Sequence, residues 1–437
     1  MRTPETSFLL DFLATLKVRK LCYAVMRNWE LLPESLGGSD LDLLVNARDE
    51  AEQVAEVATE IALRKGGRQT VRYESGALVL CYCGKVDNEW WGCHIDVFIG
   101  LTYRDVPFAN AEGLLERRIF ENELFYRLAD ETEVVSFVKE ILHNGKTRKD
   151  YYSKARSVYA KDDAVLLRLF GGLYCERGLV ALKSALTGKL NDQQLAAVAK
   201  SLRSTLCDGS RGGIVVKNFI QRLRRVFCRP GFCVAFLGTD GSGKSTLIKM
   251  ITPPMESMLH GKIHYEHLRP NLFPSLACLF AKREQSGPVT NPHSGKQAGW
   301  VASVVRFFYY YMDYTLGFWI KIYPKLVKRP ALVFFDRYYY EYMIDARRCA
   351  VRLVPGFARF FSWFIPKPDL ILCLGGEPEK IYARKPETSI EEVRRQVVEL
   401  KAFCEKNKRA VWIDTTLPIL LSRDEVLTVI MERMSAR

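Results

Sequence analysis

The feature that most constrains this chain is a short apolar run that leads directly into a glycine-rich loop. Cys233–Leu237 has the sequence Cys-Val-Ala-Phe-Leu, which is typical of a buried strand. Gly-Thr-Asp-Gly-Ser-Gly-Lys-Ser follows at once over residues 238–245, and Leu247–Met250 then has helical character. A strand, a tight loop and a helix in this order predict an α/β domain with a parallel sheet between helices.

The loop fits the pattern Gly-x-x-x-x-Gly-Lys-Ser/Thr, the P-loop, which binds nucleotide phosphates. Gly241 and Gly243 permit a positive φ and a close approach of the backbone to phosphate oxygens. The loop amides and the helix N-terminus then direct positive potential at the phosphates. Lys244 is expected to reach the β- and γ-phosphates and Ser245 to ligate Mg²⁺. We therefore predict an ATP–Mg²⁺ site made by Gly238, Asp240, Gly241, Ser242, Gly243, Lys244, Ser245 and Thr246.

A second apolar run, Ala331–Phe335, ends in Asp336-Arg337-Tyr338. A carboxylate at the tip of a strand beside the P-loop strand is suited to hold Mg²⁺ or to accept a proton from an acceptor. Arg337 is suited to bind an anionic acceptor or the transferred phosphoryl group. A surface salt bridge between Asp336 and Arg337 is the structural alternative.

The sequence after Tyr338 predicts further strands and helices and a lid. Arg384 falls at the end of a short predicted helix and precedes a charged one, so a mobile basic segment there can close over the γ-phosphate and neutralise charge in the transition state. A solvated helix end is the alternative. The predicted elements are the strands Pro368–Leu374 and Ala410–Asp414 and the helices Pro378–Ala383, Ser389–Lys406 and Arg423–Met434.

Together, the loop Gly238–Thr246, the Asp336-Arg337-Tyr338 motif, the strand from Pro368 and the lid residue Arg384 resemble the thymidylate kinase family over residues 231–437. The resemblance implies a P-loop kinase fold that transfers a phosphoryl group from ATP–Mg²⁺. In that family the Asp-Arg-aromatic motif serves the acceptor, and an Arg-Pro element contacts the acceptor's phosphate. The equivalent element here is Arg269-Pro270, so Arg269 and Arg337 are the implied acceptor residues.

The chain also departs from the usual enzyme of that family. The segment between Arg269 and Arg337 is long and rich in aromatic residues, and Asn291–Lys296 has no place in the usual enzyme. In this respect the chain is more similar to the thymidylate-kinase-like proteins found among bacterial surface-polysaccharide genes. That resemblance implies the ATP chemistry and leaves a nucleotide, a sugar or a glycan open as the acceptor.

Near the N-terminus, Asp40 and Asp42 lie two residues apart at the start of a predicted strand, and Asp96 lies in another. Three carboxylates on adjacent strands can hold two metal ions for nucleotidyl transfer. The pattern resembles the polymerase-β-like nucleotidyltransferase fold over residues 1–115, but the Gly-Ser step expected near Met26–Asn28 is absent. Catalysis by this α+β domain and a non-catalytic role in binding the acceptor or packing both stay open.

Three regions follow from these patterns. Residues 1–115 are predicted to form the nucleotidyltransferase-like domain, 116–228 a helical domain or linker, and 229–437 the P-loop domain. In the first region Leu21–Met26 is predicted to be a strand, and in the second Ala164–Tyr174 is predicted to be a helix. Val215–Cys228 is predicted to be a basic amphipathic helix, suited to phosphates, to lipid or to packing on a neighbouring domain.

The net charge of +14 is compatible with partners that carry phosphate, whether nucleotide, nucleic acid or an anionic membrane. Twelve scattered cysteines and an N-terminus without a signal-peptide pattern favour the cytoplasm. Val301–Tyr323 and Val354–Ile365 are rich in aromatic residues and interrupted by charges. They are interpreted either as core helices or as a surface that lies peripherally on the inner face of a membrane.

Three hypotheses remain. The first is an ATP–Mg²⁺-dependent kinase for a small-molecule or glycan acceptor, with Lys244, Asp336, Arg337 and Arg384 as its catalytic residues. The second is a nucleotidyltransferase acting through Asp40, Asp42 and Asp96, with the P-loop domain as an ATP-dependent regulator. The third is a non-enzymatic, ATP-gated scaffold. The oligomeric state is not predicted.

Overall fold

A computed structural model describes residues 2–74, 76–104, 106–206, 226–274, 299–344 and 355–437. The chain forms two compact units, Met1–Arg224 and Arg225–Arg437. Most of the predicted basic helix Val215–Cys228, and all of Asn291–Lys296, lie outside the described residues. The division of residues 1–228 into an N-terminal domain and a helical domain stays a prediction.

The first unit combines a mixed sheet with helices. Its helices are α1 (Pro4–Val18), α2 (Arg48–Arg64), α3 (Ala111–Glu116), α4 (Thr132–Asn144), α5 (Lys149–Lys161), α6 (Val165–Phe170), α7 (Glu176–Thr187) and α8 (Asp192–Thr205). Its strands are β1 (Ala24–Val25), β2 (Leu41–Val45), β3 (Gly67–Glu74), β4 (Leu78–Val86), β5 (Glu89–Ile99), β6 (Thr102–Tyr103), β7 (Val106–Pro107), β8 (Ile119–Glu121) and β9 (Phe125–Arg127).

Seven of these strands form one sheet in the order β3-β4-β5-β2-β1-β9-β8. β2 is buried at every position because both faces of the sheet are covered. Leu41, Leu43 and Val45 pack in a core with α1 and α2, whereas Leu44 packs in a second core with α3 and α4. Since side chains alternate along a strand, Asp42 lies on the same face as Leu44, toward α4.

The first unit departs from the sequence prediction in three places. The strand predicted for Leu21–Met26 is reduced to β1. β8 and β9 fall within the region predicted to be helical, yet they extend the sheet from β1. The helix predicted for Ala164–Tyr174 ends at Phe170, because Gly171 follows and Gly172 has a φ of +78°.

The second unit is an α/β layer structure. Its strands are β10 (Phe232–Gly238), β11 (Ile263–His267), β12 (Leu332–Asp336), β13 (Leu370–Gly375) and β14 (Ala410–Asp414). Its helices are α9 (Lys244–Leu259), α10 (Trp300–Met312), the π-helix (Asp313–Ile322), α11 (Tyr323–Lys328), α12 (Glu341–Ile344), α13 (Pro355–Phe361), α14 (Pro378–Arg384), α15 (Ile390–Lys406) and α16 (Ile419–Ser435).

The five strands form a sheet in the order β11-β12-β10-β13-β14, and every neighbouring pair is parallel. Cys233, Ala235 and Leu237 pack in a core with α10, the π-helix and α15. The alternate residues of β10 face the other side, where α9 and α16 contact the sheet and each other. The predicted α/β fold, a parallel sheet between helices, is confirmed for this unit.

Among the described helices, none is both long enough and apolar enough to cross a membrane.

Candidate functional site

The carboxyl edge of the parallel sheet gathers the residues that the sequence singles out. From β10 the chain continues toward β11 at one edge of the sheet, and from β13 it continues toward β14 at the other. Where neighbouring strands diverge in this way, a crevice opens beyond their carboxyl ends, and ligands of open α/β sheets bind there. The glycine-rich loop leaves β10 at this point.

The loop has the backbone that its glycines predict. Gly241 and Gly243 have φ angles of +81° and +82°, and Gly243 directly precedes the first residue of α9. A Cβ on Gly241 would lie 2.7 Å from the carbonyl oxygen of Ile381. Any larger residue at 241 would therefore meet both backbone strain and a clash with α14.

Lys244 is folded against its own loop. Its Nζ donates to the carbonyl oxygens of Gly238 and Thr239, each at 2.8 Å, and only 7% of the residue is exposed. Burial lowers the pKa of Lys244 to about 7, and the nearby Arg337 guanidinium adds to this effect. An anion at the loop would favour the charged form of Lys244, because opposite charges within a few ångströms stabilise one another.

Ser245 and Asp336 meet at the carboxyl ends of β10 and β12. The Ser245 hydroxyl donates to Asp336 Oδ2 at 3.0 Å, and the Tyr265 hydroxyl of β11 donates to the same oxygen at 2.8 Å. Asp336 is 4% exposed, and its Oδ1 is buried without a hydrogen-bond partner among the described residues. A hydroxyl beside an unpartnered carboxylate oxygen fits the oxygen ligands that Mg²⁺ prefers.

Arg337 is paired inside the unit. Its guanidinium donates to Glu341 at 2.7 Å and to Asp240 of the loop at 2.6 Å, and 4% of the residue is exposed. Burial alone would lower its pKa, but Glu341 and Asp240 outweigh burial, so the pKa of Arg337 is raised. The predicted alternative, a surface salt bridge with Asp336, is wrong: Arg337 is buried and pairs with Asp240 and Glu341. Its role toward an acceptor stays a prediction.

Arg269 is also engaged within the unit. Its guanidinium pairs with Asp313, donates to the carbonyl oxygen of Phe273 at 3.0 Å and lies 4.6 Å from the centre of the Tyr310 ring. Asp313 is fully buried and also accepts the backbone N–H of Leu272 at 2.7 Å. The geometry gives Arg269 a structural role, and the predicted contact with an acceptor's phosphate stays a prediction.

Arg384 lies at the exposed end of α14 and donates to the carbonyl oxygen of Thr415 at 2.8 Å. Its neighbour Lys385 lies against the loop, since a Cβ on Gly241 would be 3.2 Å from the Cβ of Lys385. The basic end of α14 is therefore next to the P-loop, and a transition-state role for Arg384 stays a prediction.

A second cluster lies in the first unit. Side-chain ligand atoms of Asp40, His94 and Asp96 lie within 4.8 Å of one another, and Asp42 pairs in register with Asp96 across β2 and β5. His94 Nε2 donates to Asp96 Oδ1 at 3.0 Å. Of the three predicted carboxylates, Asp40 and Asp96 thus belong to a group able to hold a metal ion, together with His94.

Asp42 is occupied differently. Its Oδ2 pairs with Arg27, which also lies 3.8 Å from Asp40. Burial raises the pKa of Asp42 to about 6, and Arg27 opposes this shift. Lys139 of α4 lies near the same carboxylates; burial lowers its pKa, and the carboxylates oppose this shift. Two cations of the chain itself therefore neutralise part of the charge that metal ions would otherwise neutralise.

Five of these residues escaped the sequence argument: Arg27, Lys139, Tyr265, Asp313 and Glu341. Arg27 follows β1 where the glycine-serine step was expected, so its charge was the available signal. Glu341, the first residue of α12, lies four residues after Arg337, and this spacing of an acid from a base was the available signal. Tyr265 offered no local signal, because only the sheet order brings β11 next to β12. Asp313 offered none either, because its partner Arg269 is distant in the sequence.

Neither a family model nor a curated protein matches the chain. Among solved structures that match is a crystal structure of thymidylate kinase from Ehrlichia chaffeensis, with 15% sequence identity and a TM-score of 0.32. The match covers 46% of this chain and 97% of that one.

Proposed function

We propose that the second unit is an ATP–Mg²⁺-dependent phosphotransferase. The observation that carries the proposal is the contact between the two halves of the site. The P-loop helix begins at Lys244, and its Ser245 hydroxyl lies 3.0 Å from Asp336, whose second carboxylate oxygen has no hydrogen-bond partner among the described residues. This pairing supports one common location for the phosphates, the metal ion and the acceptor.

Each residue then has a distinct task. The loop amides bind the phosphates, and Lys244 exchanges the carbonyl oxygens of Gly238 and Thr239 for phosphate oxygens. Ser245 and Asp336 hold Mg²⁺, which when bound neutralises charge on the β- and γ-phosphates. Arg337 positions the loop through Asp240, because the two side chains are hydrogen-bonded at 2.6 Å.

The acceptor is proposed to be a small molecule or a glycan that enters from the β11 side. His267 and Asp336 are paired in register at the carboxyl ends of β11 and β12, and the chain continues from there into Arg269. Arg384 lies next to the loop, and its proposed role is to neutralise the charge that develops on the transferred phosphoryl group.

Transfer of label from γ-labelled ATP tests the proposal. The full chain with Mg²⁺ is incubated with pools of nucleotides, sugars and cell extract, and the products are separated. We expect labelled product from the native chain and a loss of at least about 100-fold in Lys244→Ala, since one fixed cation at a transferring phosphoryl group is worth that much. Undiminished transfer by Lys244→Ala would overturn the proposal.

A nucleotidyltransferase is the second candidate, favoured by the convergence of Asp40, His94 and Asp96 within 4.8 Å. The pairing of Asp42 with Arg27 weighs against it, because a guanidinium at that carboxylate competes with a metal ion. Label from the α-phosphate on a product, lost in Asp40→Asn with Asp96→Asn, would favour this second function. ATP binding without any transfer would favour the scaffold.

A further inference from the structure

α10 and the π-helix that continues it have two contrasting faces. One face packs into the core of the second unit through Phe307, Tyr314, Phe318 and Ile322. The opposite face points to solvent, and the exposed fractions of its large side chains run from 39% to 70%. We call this the aromatic face; its members are Trp300, Val301, Val305, Phe308, Met312, Leu316, Trp319 and Ile320.

The aromatic face is one continuous stripe. Val301, Val305, Phe308, Met312, Leu316 and Trp319 recur at intervals of three or four residues, which is the period of a helix surface. A helix of this length spans about 30 Å. No charged or strongly polar residue interrupts these positions.

α13 and the residues after it extend the aromatic face sideways. The ring of Phe308 lies 5.2 Å from Phe361, Phe361 lies 5.3 Å from Phe360, and Phe360 lies 6.3 Å from Phe364. Phe360, Trp363 and Phe364 are 63%, 80% and 65% exposed. A contiguous apolar surface of this kind marks a contact site, whereas single exposed apolar residues do not.

The charged residues in the two segments that carry the aromatic face are almost all basic. Residues 299–330 contain five basic side chains and residues 355–368 contain two, against one acid, Asp313. Asp313 is buried and paired with Arg269, so it adds no negative potential at the surface. Within the described part of the chain, four exposed basic side chains of these two segments have no carboxylate partner: Lys328, Arg329, Arg359 and Lys367.

We propose that the aromatic face binds the surface of an anionic lipid bilayer. Tryptophan and phenylalanine insert at the boundary between headgroups and acyl chains, and the basic border attracts anionic headgroups. A second copy of the chain would bring the same basic border against itself, which like charges oppose. The unit therefore docks on the membrane without crossing it.

Co-sedimentation of the full chain with vesicles tests this proposal. We expect the protein to pellet with vesicles of phosphatidylcholine and phosphatidylserine at low salt, and less with phosphatidylcholine alone or at high salt. Trp363→Ala with Phe364→Ala should raise the lipid concentration needed for half-binding by about tenfold or more, because two large side chains leave the interface. Lys328→Glu with Arg329→Glu should weaken binding to anionic vesicles selectively.

Leu420→Ala with Leu421→Ala is the matched control, because these residues are 53% and 56% exposed on α16, which contacts β13 and β14 on the other side of the sheet. It should bind vesicles like the native chain. The proposal fails if the native chain does not pellet with anionic vesicles at low salt, or if the control and the Trp363 and Phe364 variant bind equally. The native chain without lipid is also examined by sedimentation. The proposal fails if the native chain forms a dimer there and the Trp363 and Phe364 variant does not, since the aromatic face would then be a self-association surface.

Discussion

At the residue scale, Arg337 combines backbone strain with a buried charge network. Its φ is +75°, a conformation that costs a non-glycine residue free energy and that surrounding contacts must hold in place. Those contacts are the pairs with Glu341 and Asp240, whose side chains are 4% and 16% exposed. The network fixes the conformation of the loop in front of Lys244.

Replacing Arg337 tests whether this network is structural. Arg337→Met should lower the free energy of unfolding by about 3 to 5 kcal/mol, because Glu341 is left buried without its partner. Adding Glu341→Leu should recover part of that loss, since an apolar pair replaces the ionic one. Denaturant titration followed by fluorescence measures both. If Arg337→Met unfolds like the native chain and only raises the KM for an acceptor, the guanidinium serves the acceptor and not the loop.

Tyr265 is a positioning residue for Asp336. Its hydroxyl and that of Ser245 donate to the same carboxylate oxygen, which orients the carboxylate and leaves Oδ1 for a metal ion. Tyr265→Phe should raise the Mg²⁺ concentration for half-maximal turnover by about tenfold, because partners of metal ligands contribute on this order. Its unfolding free energy should change little, since the residue is half exposed.

Tyr309→Phe is the control for this prediction, because its hydroxyl donates to a backbone carbonyl, that of Pro274. It should leave the Mg²⁺ dependence unchanged. Equal Mg²⁺ dependence in Tyr265→Phe and the native chain would show that Tyr265 does not position Asp336 for the metal ion.

The local chemistry of this site was predictable from the sequence, whereas its long-range pairs were not. The glycine spacing requires the positive φ angles that Gly241 and Gly243 adopt. The proximity of Ser245 to Asp336 follows from two strand ends that meet at one edge. Arg337 and Asp240 are 97 positions apart in the sequence, and no local pattern encodes such a contact.

At the element scale, the π-helix Asp313–Ile322 anchors the loop after β11. Asp313 receives Arg269 and the backbone N–H groups of Leu272 and Phe273. Tyr314 donates to the carbonyl oxygen of Leu268, and Lys321 to that of Pro270. π-Helical turns are rare and concentrate at functional sites, and this one fixes the chain that leads away from Asp336.

Asp313→Ala tests the anchor. We expect a loss of about 3 to 5 kcal/mol in the free energy of unfolding, because Arg269 stays buried without its counter-charge. Thr315→Ala on the same helix should change it by less than about 0.5 kcal/mol, since its hydroxyl is bonded only to carbonyl oxygens of its own helical turns. Equal stability of Asp313→Ala and Thr315→Ala would show that the loop does not need the pair.

Elements with strong periodicity were predicted closely, and elements that depend on partners were not. Ala410–Asp414 forms the strand predicted for it, and Ile390–Lys406 the helix predicted from Ser389. β8 and β9 are extended because they pair at the edge of the sheet. Tertiary contacts, and not the local sequence, decide such pairing. The spacing of apolar residues also does not distinguish a π-helix from an α-helix, so the π-helix at 313–322 was not predicted from the sequence.

At the scale of the whole molecule, each of the two compact units has carboxylates suited to a metal ion. In the second unit a single carboxylate, Asp336, accompanies a complete P-loop, and one of its oxygens is unpartnered among the described residues. In the first unit, Arg27 and Lys139 lie among the carboxylates. This difference favours chemistry in the second unit and a binding or positioning role in the first.

The central claim is that the second unit transfers the γ-phosphoryl group of ATP, and one measurement tests it most directly. ATP with distinguishable labels at the α- and γ-phosphates is incubated with the native chain, with Lys244→Ala and with Asp40→Asn plus Asp96→Asn, and both labels are counted on each product. The account predicts γ label alone, retained by the N-terminal variant and lost in Lys244→Ala. Label from the α-phosphate on a product, or γ transfer that survives Lys244→Ala, would contradict it.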